Sequence, residues 1–267
     1  MRSVWKTRRR MGIDWIDYGR DQRGRPVAVS AARHTLVTGL TGSGKGSISG
    51  GWLKAQAPYI VAGLVHLYYI DLKGGMEAGM LNQSLIHQQA WSLPDAVDLL
   101  HDFDAEAARR QDTYRGITRD LPPDMEPRML LMIDEAAELT VAVGENKKYA
   151  STAIGMLDSI LRRGRSSGAV VVAMTQDPRV QSFPLRPRFP QRLALRLNDE
   201  VEARMALGDI AVEHGAAPWL IPADKPGSCW YFDLDSGGDV QFFRTPYVGD
   251  DTLRTLGGTA AGAQRQA

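Results

Sequence analysis

Short apolar runs alternate along the chain with longer amphipathic segments, in which hydrophobic and polar positions are mixed. Apolar runs of about 4–8 residues predict buried strands, whereas apolar residues spaced three and four apart predict helices. The predicted strands are 34–39, 66–71, 129–134, 169–175 and 193–197. The predicted helices are 45–57, 93–114 and 149–163. Strands that alternate with helices indicate an α/β fold with a mainly parallel sheet flanked by helices.

Proline and glycine mark where these elements end. Pro58 predicts the end of the first helix, and the proline-rich segments 116–128 and 183–190 predict loops. Two further strand patterns, 230–233 and 240–244, flank a polar turn and predict a C-terminal β-hairpin. We therefore expect one main domain at 15–250, a basic N-terminal arm at 1–14 and a flexible tail at 251–267, where residues are small and polar.

Composition excludes several protein classes. The 267-residue chain has a single cysteine, Cys229, which excludes a disulfide framework and a cysteine-based zinc site. It contains no run of 18 apolar residues, so no transmembrane helix is predicted. The basic N-terminus is not followed by the apolar stretch of a secretory signal. We expect a soluble cytoplasmic protein.

The charge is balanced overall but uneven along the chain. The net charge of +1 gives no global signature of nucleic-acid binding. The first ten residues nevertheless carry five basic side chains and no acid: Arg2, Lys6, Arg8, Arg9 and Arg10. The arm is either a solvated leader or a contact to phosphates, to an accessory partner or to the anionic inner face of a membrane.

A glycine-rich turn between the first strand and the first helix matches the pattern G-x-x-x-x-G-K. It comprises Gly39, Leu40, Thr41, Gly42, Ser43, Gly44, Lys45, Gly46 and Ser47. Such a turn directs backbone N–H groups and a helix N-terminus at phosphates, and its lysine reaches the β/γ-phosphates of ATP. Gly46 stands where a Mg²⁺-binding serine or threonine is usual. Either Ser47 supplies that hydroxyl, or a water replaces it.

Three other segments carry candidate chemistry. The strand at 129–134 ends in Asp134, which can hold Mg²⁺ or cap a helix, and Glu135, which can accept the proton of an attacking water. Gln176 ends another strand, where it can sense the γ-phosphate or is simply a polar end residue. Arg165 follows a helix end at Gly164 and either caps that helix or reaches a neighbouring subunit's nucleotide.

The motifs together resemble the motor domain of the FtsK/SpoIIIE family over residues 19–248. The resemblance rests on the glycine-rich turn, on Asp71-Leu72-Lys73, on Asp134-Glu135, on the Gly164–Gly168 turn, on Thr175-Gln176-Asp177-Pro178 and on Lys225-Pro226-Gly227. Lys45-Gly46-Ser47 and Asp71-Leu72-Lys73-Gly74-Gly75 look most like the branch found on integrative and conjugative elements.

This resemblance implies a RecA-like P-loop NTPase that forms hexameric rings and uses ATP and Mg²⁺ to move double-stranded DNA, in conjugative transfer or chromosome partition. It also implies that Arg165 acts in trans, with Arg109 and Arg110 as rivals for that role. Two other functions stay open: a type VII-like protein-secretion ATPase, which shares the core, and a nucleotide-gated assembly module with weak hydrolysis. Glu135 argues against the module, because binding alone needs no base.

A basic stretch surrounds the second proline-rich loop. It comprises Arg179, Arg186, Arg188, Arg192 and Arg196. The stretch is either a surface for DNA or a solvated loop whose arginines form salt bridges at a subunit interface.

Overall fold

The computed structural model describes residues 12–140, 144, 146–179, 181–236 and 240–258. The strands in these residues are β1 (Trp15–Asp21), β2 (Pro26–Ser30), β3 (Thr35–Thr38), β4 (Val65–Ile70), β5 (Ile86–Ala90), β6 (Arg128–Ile133), β7 (Ala169–Thr175), β8 (Gln191–Ala194), β9 (Ser228–Asp233) and β10 (Gln241–Arg244). They form one ten-stranded sheet in the order β2-β1-β10-β9-β8-β3-β7-β6-β4-β5.

The sheet has a parallel part and an antiparallel part. Strands β8, β3, β7, β6, β4 and β5 run parallel to one another, as the alternation of strands and helices predicts. Strands β9, β10, β1 and β2 extend this sheet with antiparallel pairings. The predicted C-terminal hairpin corresponds to β9 and β10, and it joins the parallel part at β8.

Helices cover both faces of the sheet. The helices are α1 (Lys45–Val61), α2 (Leu93–Thr113), α3 (Asn146–Arg163), α4 (Glu200–Leu207), α5 (Asp209–Glu213) and α6 (Asp250–Thr255). Helix α1 packs on one face through Ile48, Trp52 and Leu53, whereas α2 and α3 pack on the other. The buried residues of β6 alternate between the two cores, because successive side chains of a strand point to opposite faces.

Pro58 does not end the first helix, contrary to the prediction from sequence. Helix α1 continues through it to Val61. Proline removes one backbone donor from a helix, which is costly where no other group satisfies the freed carbonyl. Pro58 lies on the exposed side of α1, where water can satisfy that carbonyl. The apolar face of the helix therefore remains continuous.

The folded domain is longer at both ends than the predicted 15–250. Helix α6 lies at the start of the segment predicted as a flexible tail, and its Leu253 is buried in the core that α1 covers. At the other end, the Ile13 carbonyl accepts hydrogen bonds from Gln56 and Arg128, and Asp14 forms an ion pair with Arg128. The remainder of the predicted arm, 1–11, and residues 259–267 lie outside the described residues.

Candidate functional site

The phosphate loop, residues 39–47, connects the carboxyl end of β3 to α1. Gly44 has a φ of 102°, and a Cβ atom there would lie 2.3 Å from the backbone nitrogen of Gly227. The Gly227 N–H in turn donates a hydrogen bond of 2.8 Å to the Ser43 carbonyl. The turn before β9 thus packs directly on the phosphate loop, and this contact requires glycine at position 44.

Several donors of the phosphate loop have no acceptor. Within the described part of the chain, the backbone N–H groups of Thr41, Gly42 and Gly44 donate no hydrogen bond. The first turn of α1 contains no acidic side chain and has no side-chain cap. Unpaired N–H groups at a helix N-terminus attract an anion, so the loop fits the phosphates of a nucleotide.

Lys45 supplies the positive charge at this loop. Its ammonium donates to the Gly39 carbonyl at 2.7 Å, so the side chain folds back along the loop. Burial lowers the pKa of Lys45, and the nearby Glu135 carboxylate opposes that shift. The ammonium is thus held at the loop by a neutral carbonyl and is available to phosphate oxygens.

Asp134 and Glu135 follow β6 at the same edge of the sheet, as predicted. Burial raises the pKa of Asp134 to about 6, and the nearby carboxylates of Glu77 and Asp71 add to the shift. The short 3₁₀ helix that follows has Glu135 as its N-cap residue and no side-chain cap. The alternative of Asp134 as a helix cap therefore finds no support.

Glu135 is buried and engaged through both carboxylate oxygens. Its Oε2 lies 3.3 Å from the Lys73 ammonium, and its Oε1 accepts a 3.1 Å hydrogen bond from the Gln176 backbone N–H. The Gln176 side-chain oxygen accepts a 2.7 Å hydrogen bond from the Thr41 hydroxyl. Contacts thus run from the segment after β4, through the ends of β6 and β7, to the phosphate loop. This arrangement can couple the state of the loop to the carboxylate.

Asp71 organises the loop that carries Lys73. The Asp71 carboxylate is fully buried and accepts hydrogen bonds from the backbone N–H groups of Lys73, Glu77 and Ala78. Lys73 and Glu77 were not among the site residues predicted from sequence. Lys73 lies in the Asp71-Leu72-Lys73 motif, but no sequence pattern relates Glu77 to the phosphate loop.

The metal ligands predicted from sequence, Ser47 and Asp134, are not part of a preformed cage. Among the described residues, no three or more His, Cys, Asp or Glu side chains are arranged to hold a metal ion. Mg²⁺ at a nucleotide is usually bound by one or two carboxylates together with phosphates and water, so a cage is not required. Asp134, with hard oxygen atoms at the edge of the phosphate loop, suits that chemistry.

Arg165 lies at the opposite, amino edge of the sheet, in the turn that precedes β7. Its side chain is exposed and lies 3.4 Å from the Asp120 carboxylate. It lines a cleft of about 600 Å³ whose walls also contain Arg162 and Arg163. Because β7 runs the length of the sheet between Arg165 and Gln176, Arg165 does not reach the phosphate loop of its own chain.

The rival arginines are held by their own chain. Arg110 is buried and donates to Glu106 and to the carbonyls of Pro127 and Ser167. Arg109 forms ion pairs with Glu106 and Glu126. Arg110 in particular cannot reach a neighbouring molecule without leaving these partners.

The predicted basic stretch is not one continuous patch. Arg186 is buried and donates to the Met205 carbonyl, whereas Arg188 forms an ion pair with Asp158 and Arg179 one with Asp177. Burial lowers the pKa of Arg192. These contacts favour a structural role for much of the stretch over a surface dedicated to DNA.

Several known proteins have sequences similar to that of this chain. No family model matches the chain. The transfer protein TraSA of Streptomyces ambofaciens is 30% identical over 251 residues, which cover 84% of this chain and 57% of TraSA. A DNA translocase FtsK of Mesorhizobium japonicum is 26% identical over 143 residues, which cover 53% of this chain and 14% of that protein. The chain therefore spans 57% of the first relative and a small part of the second.

Solved structures share the fold. The conjugation coupling protein TcpA of pCW3, in its monomer form with ATPgS, superposes with a TM-score of 0.78 at 20% identity, covering 96% of this chain and 72% of that one. The cytoplasmic domain of the Thermomonospora curvata type VII secretion ATPase EccC superposes with a TM-score of 0.69 at 21% identity. The match covers 95% of this chain and 32% of that one. At these identities the likeness shows the fold, and it confirms the predicted α/β architecture of a mainly parallel sheet flanked by helices. No described helix is both long and apolar enough to cross a membrane.

Proposed function

We propose that the chain is a motor domain of the FtsK/SpoIIIE type, of the conjugative branch, and that it hydrolyses ATP to move double-stranded DNA during conjugative transfer. The observation that carries this proposal is the chain of contacts from Lys73 through Glu135 and Gln176 to Thr41. It holds a buried carboxylate beside a loop with free phosphate-binding donors. A module that only binds nucleotide has no need of a carboxylate fixed there.

Each residue of the site has a role in this proposal. The free N–H groups of the phosphate loop and Lys45 bind the phosphates. Glu135 accepts a proton from the attacking water, whose oxygen bonds to the γ-phosphorus as the bond to the leaving ADP oxygen breaks. Each Glu135 oxygen makes one contact and keeps a second lone pair, so the carboxylate can take that proton with both contacts in place. Gln176 links Glu135 to the loop through Thr41.

Mg²⁺ would neutralise charge that develops on the phosphates. The residues that would hold it are Asp134, directly or through water, and an oxygen ligand near Gly46. Ser47 is one candidate for that second ligand. Its backbone N–H donates to the Gly44 carbonyl at 3.0 Å in the first turn of α1.

The assembly is part of the same proposal. A hexameric ring would bring Arg165 of one subunit to the nucleotide of the next. The basic N-terminal arm would contact DNA phosphates, a membrane surface or an accessory partner.

The test is the ATPase rate with and without linear double-stranded DNA. We expect DNA to stimulate hydrolysis and the protein to displace a triplex-forming strand from the duplex, with Lys45→Ala as the inactive control. Stimulation by a secreted protein's tail in place of DNA would select a secretion ATPase. Nucleotide binding with negligible turnover under both conditions would select an assembly module.

A further inference from the structure

Gly46 leaves an empty position in the phosphate loop that packing does not explain. A Cβ atom on Gly46 would meet no atom closer than 3.8 Å, and Gly46 does not have a positive φ. A side chain could therefore be accommodated at this position. The missing hydroxyl is thus not a consequence of crowding, and another group can occupy the space in its place.

The atom nearest to that empty position is a carboxylate oxygen. Glu77 Oε2 lies 3.8 Å from the Cβ position of Gly46, and a serine hydroxyl would lie one bond beyond that point. The Glu77 side chain is exposed, and its carboxylate forms no ion pair in the residues that the structure describes. Its oxygens are therefore available to a cation.

The backbone beneath Glu77 is fixed. Its N–H donates a 2.8 Å hydrogen bond to the buried Asp71 carboxylate, and the next residue, Ala78, donates another at 3.1 Å. Gly75 lies against the Trp91 ring, which a Cβ atom would approach to 2.9 Å. The same Asp71 that positions Lys73 therefore also positions Glu77 over the first turn of α1.

We propose that Glu77 replaces the missing hydroxyl at Gly46 as the second protein ligand of the nucleotide-bound Mg²⁺, in addition to Asp134. Carboxylate oxygens are hard ligands that Mg²⁺ accepts directly or through its water shell. This inference rests on the proposed function, since it assumes that the phosphate loop binds ATP. Under this inference, neither the Ser47 hydroxyl nor a water by itself takes the place of the missing hydroxyl at Gly46.

The test measures metal binding without turnover. Mn²⁺ affinity is determined by electron paramagnetic resonance with a non-hydrolysable ATP analogue bound, and analogue affinity is measured separately in EDTA. We expect Glu77→Gln to weaken Mn²⁺ binding by about tenfold or more. Affinity for the metal-free analogue should be unchanged or stronger, because a negative charge near the phosphates is removed. Glu213→Gln, which neutralises an exposed carboxylate on α5, is the matched control.

A second variant makes the test independent of folding defects. Gly46→Ser in the Glu77→Gln background restores the usual hydroxyl, so Mn²⁺ affinity should return to near that of the unmodified protein. Equal Mn²⁺ affinity in Glu77→Gln and Glu213→Gln would overturn the inference. It would also be overturned if Ser47→Ala weakened Mn²⁺ binding and Glu77→Gln did not. If the unmodified protein fails to bind the analogue at all, the proposed function fails instead.

Discussion

The parallel strands have two ends, the carboxyl edge and the amino edge of the sheet. Both edges hold polar side chains, but the hydrogen-bonding groups are free at one edge and paired at the other. At the carboxyl edge, the described N–H groups of Thr41, Gly42 and Gly44 lack acceptors. At the amino edge, buried Arg110 donates to the carbonyls of Pro127 and Ser167, which lie one and two residues before β6 and β7. Free donors indicate where a ligand binds, whereas saturated ones hold the strand starts in register. The comparison predicts direct loss of chemistry from changes at the carboxyl edge. At the amino edge it predicts loss of stability, or of chemistry that depends on a neighbouring subunit.

The largest effect is expected at the carboxyl edge. Lys45→Ala should abolish ATP turnover, because it removes the cation that the phosphate loop holds against the Gly39 carbonyl. Steady-state phosphate release is the measurement. Lys54→Ala, which removes an exposed lysine from the same helix, should hydrolyse ATP at the normal rate. Normal turnover in Lys45→Ala would show that the site is assigned wrongly.

At the amino edge, the corresponding change should act only across a subunit boundary. Arg165→Ala should reduce turnover of the assembled protein by about 10³–10⁵-fold, the range known for arginines supplied in trans. Mixing it with Glu135→Gln should restore some activity, because a mixed interface pairs an intact arginine with an intact base. Arg115→Ala, another exposed arginine, is the control. An unchanged rate in assembled Arg165→Ala would transfer the role to another residue, with Arg109 the remaining rival.

Glu135→Gln should bind ATP and hydrolyse it about 10²–10⁴-fold more slowly, because the amide keeps the shape of the side chain and loses its basicity. The amide oxygen can still accept from the Gln176 N–H, so the structure of this edge should persist. Fluorescent-nucleotide binding and single-turnover hydrolysis separate the two steps. A variant that loses nucleotide binding would make Glu135 a structural residue.

The two edges also differ in how far the sequence predicts them. The phosphate loop and the ends of β6 and β7 were predicted because each is a local pattern, and β7 has the predicted bounds. The role of Glu77 and the contact between Thr41 and Gln176 were not predicted, because they depend on how separate loops meet in the fold. The outermost strand β5 is mostly polar, so its sequence lacks the alternation of apolar and polar residues that predicts a strand. The burial of Leu253, within an otherwise polar tail, depends on its packing against α1 beside Gly50, which brings together segments far apart in the sequence.

The smallest effect concerns stability, and it tests the amino edge through His34. This side chain is buried, and its Nδ1 accepts a 3.0 Å hydrogen bond from the Val171 N–H. Burial lowers the pKa of His34 from 6.5 to about 4, and the nearby Leu161 carbonyl only partly opposes the shift. Above pH 6.5 the imidazole is neutral in both the folded and the unfolded protein. Below that pH the unfolded chain takes up a proton that the folded protein does not, so stability falls until the pH reaches about 4.

The expected loss from this one group is about 3 kcal/mol of unfolding free energy between pH 7 and pH 4. His34→Asn keeps an acceptor for the Val171 N–H and removes the titration. Urea unfolding at several pH values should therefore show a shallower acid dependence for His34→Asn than for the unmodified protein. His101→Asn, which changes an exposed histidine, should leave the dependence as it is. If His34→Asn loses stability with acid as steeply as the unmodified protein, His34 is protonated in the fold, and the amino edge accommodates a charge that its burial should exclude.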